Sequence, residues 1–128
     1  MKKLLIIDDN KDFLELMLIS LNKVYNCSGF LSLEDFRNNY DKSSFDLMIC
    51  DYNVCGDEAP YIIQSIKEEG YLKDQPVVVI SGSDVNSLNN YDLDNGFYLE
   101  KPFRIADLKE LLNEIFSIAK KEISNVGL

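Results

Sequence analysis

Short unbroken apolar runs alternate along this chain with longer stretches in which apolar residues recur every three or four positions. The runs are Leu4-Leu5-Ile6-Ile7, Leu47-Met48-Ile49-Cys50, Val77-Val78-Val79-Ile80 and the weaker Phe97-Tyr98-Leu99. None alternates polar with apolar, which is the pattern of strands buried on both faces in a parallel sheet covered by helices. Residues 25–30 form a fainter fifth strand, whose polar Asn26, Ser28 and Gly29 suit a sheet edge.

Between the runs lie helical patterns. Over 12–23, Phe13, Leu14, Met17, Leu18 and Leu21 recur at helical steps. Ser32-Leu33-Glu34-Asp35 reads as a capping box opening a short helix through Phe36. Residues 59–69 place Pro60 near a first turn, Ile62, Ile63 and Ile66 on one face, and Gly70 where a C-terminal cap belongs. Residues 104–121 repeat Ile105, Leu108, Leu112, Ile115 and Ala119. The segment 84–95 is built from Asn, Asp and Ser, poor formers of helix interiors. Only Val85, Leu88, Tyr91 and Leu93 recur there at roughly helical spacing, so a short, weak helix is expected. Strands alternating with helices predict an α/β doubly wound sheet of five parallel strands, with helices on both faces.

Composition narrows the function. One domain is expected from 128 residues, with a core that needs neither disulfide nor metal to close it. The net charge of −9 opposes direct binding to nucleic acid or anionic membranes and suits a carboxylate site that takes a divalent cation. Histidine is absent, which excludes Ser-His-Asp and Cys-His catalysis and imidazole metal ligation. Cys27, Cys50 and Cys55 form an odd, sparse set, expected as free thiols. The apolar run near the amino terminus is too short for a signal peptide, and no run is long enough to span a membrane. The protein is expected to be cytoplasmic.

The polar residues at the predicted strand ends carry the chemistry. Asp8 and Asp9 follow the first strand, Asp51 ends the third, Ser81-Gly82 ends the fourth, and Lys101-Pro102 follows the last. Ligands of open α/β sheets sit beyond the carboxyl ends of the strands, so these side chains are expected on one rim. Each motif alone is an ordinary turn or cap. Their conjunction at four strand ends of one sheet is what points to a site.

These residues, as Leu5-Ile6-Ile7-Asp8-Asp9-Asn10, Asp51, Ser81-Gly82 and Tyr98-Leu99-Glu100-Lys101-Pro102-Phe103, closely resemble the receiver domain of two-component response regulators, in particular the single-domain chemotaxis kind. The resemblance implies a flavodoxin-like strand order 2-1-3-4-5, a receiver domain over 1–122 and a short tail over 123–128. It implies a phosphorylation-dependent switch rather than an enzyme acting on other molecules. Asp51 would accept the phosphoryl group, with Lys101 and Ser81 assisting. Mg²⁺ would be held by Asp8, Asp9, Asp51 and the backbone carbonyl of Asn53. Ser81 and Tyr98 would form the conformational switch, and the Lys101–Pro102 peptide would be cis.

The implied donor is a histidine kinase or a histidine phosphotransfer protein. No output domain is expected after the last helix, and the signal would then pass to a protein target or onward as a phosphoryl group. Where the family often has proline, four residues after its phosphoacceptor, this chain has Cys55; a less rigid loop with an exposed thiol is expected. Asn53 and Ser83 stand where relatives tune phosphoryl lifetime. Two alternatives are a Mg²⁺-dependent phosphatase of the haloacid dehalogenase type, faintly echoed by Asp51-x-Asn53, and the amino-terminal part of a DNA-binding response regulator.

Overall fold

The computed structural model describes residues 1–82 and 96–125, with side chains through residue 118. The chain runs β1 (Lys3–Ile7), α1 (Lys11–Leu21), β2 (Asn26–Phe30), α2 (Leu33–Asn39), β3 (Leu47–Asp51), β4 (Asn53–Val54), β5 (Asp57–Glu58), α3 (Ala59–Glu68), β6 (Val77–Ser81), β7 (Gly96–Glu100) and α4 (Ile105–Asn125). Five strands pair in parallel in the order β2-β1-β3-β6-β7. Counted within the sheet, that is the expected order 2-1-3-4-5. β2 lies at the edge, as its polar residues predicted. The short β4–β5 hairpin, which the hydrophobic pattern did not reveal, stands apart from this sheet.

The unbroken apolar strands are explained by two cores. Leu5, Ile7, Met48, Cys50, Val77 and Val79 point to one face, where Phe36 of α2 and Ile62 and Ile66 of α3 cover them. Leu4, Ile6, Leu47, Ile49, Val78 and Ile80 point to the other, under Leu14, Met17 and Leu21 of α1 and Leu108, Leu112 and Ile115 of α4. Successive strand residues face opposite sides, so a sheet covered on both sides needs apolar residues at every position.

Helix ends follow the local sequence. The Asn10 side chain caps α1 by accepting from the Phe13 N–H at 3.0 Å. Ser32 Oγ caps α2 by accepting from Asp35 N–H at 2.9 Å, and Asp35 Oδ2 reaches back to the Leu31 N–H rather than to Ser32. α2 continues to Asn39, beyond the predicted end at Phe36. Gly70, with φ +89°, takes the left-handed backbone that ends α3. α4 extends to Asn125, through residues that the sequence placed in the tail. The three cysteines are free. The expected weak helix over 84–95 and Ser83 lie outside the described residues. No helix among the described residues is long and apolar enough to cross a membrane.

Candidate phosphoacceptor site

The rim at the carboxyl ends of the strands gathers three carboxylates. β1 ends at Ile7, and the next residue, Asp8, is still tied to the sheet by its N–H to Phe30 O at 3.1 Å. Asp8 Oδ1 accepts from the Asn10 N–H at 2.9 Å, a local turn that leads into the α1 cap. Asp8 Oδ2 is buried without a hydrogen-bond partner among the described residues. Asp51 is the last residue of β3, next to β1, and its N–H-bearing successor Tyr52 bonds Ile80 O at 2.8 Å. Each of Asp8, Asp9 and Asp51 offers an oxygen, and these oxygens lie within 4.8 Å of one another.

The loop after Asp51 closes over this group. Cys55 and Gly56 turn the β4–β5 hairpin with φ of +52° and +86°. Two-residue hairpins favour positive φ at both turn positions, and glycine at the second meets that demand without strain. The Cys55 N–H then donates to Asp9 Oδ2 at 2.8 Å. The lack of proline at this position is thus offset by strand pairing and a bond to the acidic cluster. Cys55 itself is exposed, as expected.

Lys101 supplies the positive charge. Its N–H bonds Ser81 O at 2.7 Å, fastening the end of β7 to that of β6, and the Lys101–Pro102 peptide is cis as the resemblance implied. Lys101 Nζ lies 3.3 Å from Asp51 Oδ1. Ser81 is buried at the end of β6, one residue beyond the Asp51↔Ile80 pair. Tyr98 is half-buried on β7, packed against the core under α2 and α3. Asn53 is exposed at the start of β4.

Burial is the main electrostatic influence here. It pushes the carboxyls of Asp8 and Asp51 above the usual aspartate range, and repulsion within the cluster adds to it. Lys101 opposes the rise at both. Mutual repulsion is the smaller cause. The folded state therefore binds more protons than the unfolded chain between the ordinary aspartate pKa of about 3.9 and the raised values, and stability falls as pH rises through that window. Asp41 and Asp107 are shifted down by hydrogen bonds from Ser43 and Arg104, so their opposite influence is confined to pH below about 3.9. Metal-free protein is expected to lose melting temperature as pH rises from about 3.9 through the raised range of Asp8 and Asp51. A thermal melt in chelator that shows no rise on acidification contradicts this electrostatic account.

The cluster fits a small, hard divalent cation. Carboxylate oxygens are the donors such an ion prefers, and the unpartnered Asp8 Oδ2 is a buried acceptor that a cation would satisfy. Phe13 and Phe103 flank Lys101; Phe13 was legible in sequence only as an apolar position, whereas Phe103 stood in the motif that carries the resemblance.

Residues 4–113 match the family model of the response regulator receiver domain. Among curated proteins, the chain is 34% identical over 86 residues to the two-component response regulator ARR3 of Arabidopsis thaliana, covering 64% of this chain and 37% of that protein. The chain spans 37% to 55% of the length of the curated relatives it matches. Among solved structures, it resembles the BeF3-activated DrrB receiver domain with TM-score 0.75 and 25% identity, covering 91% of this chain and 98% of that one. The chemotaxis response regulator CheY4 of Vibrio cholerae shares the fold with TM-score 0.79 and 18% identity, covering 90% and 98%.

Proposed function

The chain belongs to the response regulator receiver domain family, and from that membership we propose that Asp51 is its phosphoacceptor. Receiver domains are phosphorylation-dependent switches of two-component signalling, generally phosphoacceptors rather than enzymes in the usual sense. They generally bind Mg²⁺ in an acidic pocket. The observation that carries the assignment to Asp51 is its place at the end of a central strand, with Asp8 and Asp9 beside it and Lys101 Nζ at 3.3 Å.

In this reading an Asp51 oxygen attacks phosphorus. The new P–O bond forms as the P–N bond to the donor imidazole breaks, and the imidazole leaves with that electron pair. Lys101 neutralises charge on the transferring oxygens, and Ser81 offers them its hydroxyl. Asp8, Asp9, Asp51 and the carbonyl of Asn53 would hold Mg²⁺, whose chemistry is to balance the carboxylate and phosphoryl charges. Phosphorylation draws Ser81 toward the new group and shifts Tyr98 between two packings, a two-state equilibrium biased by phosphate.

The donor is a histidine kinase or histidine phosphotransfer protein, and the output is a protein target in the cytoplasm or an onward phosphoryl acceptor. The receiver domain spans 1–122 in this reading, with 123–128 as a tail. The haloacid dehalogenase alternative is not favoured, since Asp51 ends the third strand in chain order, whereas that class usually carries its nucleophile after the first. The test is incubation with acetyl phosphate and Mg²⁺ followed by intact mass measurement. One phosphoryl group per chain is expected. Continuous turnover of a generic phosphate ester would instead mark a phosphatase.

A further inference from the structure

Lys101 has a long, flexible side chain, one-third exposed, and its ammonium must be held over Asp51 to act there. The ion pair alone does not restrict where that side chain rests. Beside it opens a cleft of about 280 Å³ lined by Asn10, Phe13, Lys101, Pro102 and Phe103, into which the ammonium could swing. The Phe13 ring lines that cleft and presents its face to the ammonium. Lys101 Nζ sits 5.2 Å from the ring centroid, within cation–π range. The ring is itself braced: Phe103 meets it edge-on at 5.6 Å and 81°.

Both braces arise from the elements that build the site. Phe13 is the residue whose N–H is capped by Asn10, so the turn that places Asp8 also places the ring. Phe103 follows the Lys101–Pro102 peptide on the same loop as the ammonium. One aromatic pair thus ties the acid-bearing end of α1 to the lysine-bearing loop.

We propose that Phe13 is a positioning residue for phosphoryl transfer, its ring holding the Lys101 ammonium against Asp51. This rests on Asp51 being the phosphoacceptor. It assigns to Phe13 a role beyond the apolar packing it shares with the α1–α4 core. Phe13→Leu keeps apolar bulk and removes the ring; Phe13→Tyr keeps the ring.

The test is the initial rate of labelling by acetyl phosphate with Mg²⁺, read by intact mass, in the wild type, both Phe13 variants, Lys101→Ala and the Lys101→Ala/Phe13→Leu double variant. Phe13→Leu is expected to slow labelling by about 3- to 30-fold, the range of a partly desolvated cation–π contact. Phe13→Tyr is expected to restore most of that loss. In the Lys101→Ala background, Phe13→Leu is expected to add nothing, because the two residues act through one contact. An equal loss in that background, or wild-type rates in Phe13→Leu, overturns the proposal. A wild type that takes no label at Asp51 instead overturns the phosphoacceptor reading beneath it. Should Phe13→Leu fail to fold, the metal-free wild type still decides: the Lys101 ε-methylene protons are expected to show an upfield ring-current shift relative to other lysines, and its absence refutes the contact.

Discussion

Lys101→Ala is expected to slow phosphorylation of Asp51 by about 10²–10³-fold, the loss typical when one preorganised electrostatic donor is removed. The ammonium lies 3.3 Å from an Asp51 oxygen at a partly buried site, where charge is weakly screened. As the phosphoryl group arrives, negative charge collects on its oxygens close to three carboxylates. A single cationic side chain there acts on the transition state more than on the resting site. Lys101→Arg is expected to recover little. The guanidinium is planar and bulkier than an ammonium, and it does not reproduce the compact point charge that Lys101 places 3.3 Å from Asp51. Rapid-mixing measurements with acetyl phosphate check this, and a rate within threefold of wild type for Lys101→Ala contradicts it.

The second large effect concerns stability and its dependence on metal. Asp8 is almost fully buried, its carboxyl is pushed up by burial, and its Oδ2 lacks a partner among the described residues. Without a cation the folded state carries the cost of that charge. Asp8→Asn keeps the shape and the acceptor for the Asn10 N–H, and its amide can donate toward the neighbouring carboxylates. Metal-free Asp8→Asn is therefore expected to be about 1–3 kcal/mol more stable than wild type, the cost of an unsatisfied buried polar group. Added Mg²⁺ should raise the melting temperature of the wild type, because an ion that binds only the folded site stabilises it by mass action. Most of that rise should vanish in Asp8→Asn. Calorimetry with chelator and with millimolar-scale Mg²⁺ reads both. Lower metal-free stability in the variant, or an unchanged response to Mg²⁺, contradicts the account.

Much of this fold was legible because a doubly covered sheet leaves a plain trace. The runs 4–7, 47–50 and 77–80 are apolar at every position, and the structure divides each between two cores. The site was legible for a related reason: strand ends are fixed by those runs, so Asp8, Asp51, Ser81 and Lys101 could be placed on one rim before any contact was known. The β4–β5 hairpin was not legible. It is held by two residue pairs and a bond from Cys55 N–H to Asp9, and backbone bonds leave no hydrophobic pattern. The same limit hid Phe13. Its ring counts as apolar in any periodicity, and only the fold brings it over a lysine 88 positions away. Burial rather than mutual repulsion is the chief cause of the carboxylate shifts, and burial depth is a property of packing that no sequence pattern records.

The most direct measurement of the central claim is the site of phosphorylation. Wild type and Asp51→Asn are incubated with acetyl phosphate and Mg²⁺, the acyl phosphate is trapped by borohydride reduction, and the modified residue is mapped by peptide mass spectrometry. The account predicts one modified residue, Asp51, in the wild type and no acyl phosphate in Asp51→Asn. Reduction mapped to another carboxylate, or undiminished labelling of Asp51→Asn, would contradict it.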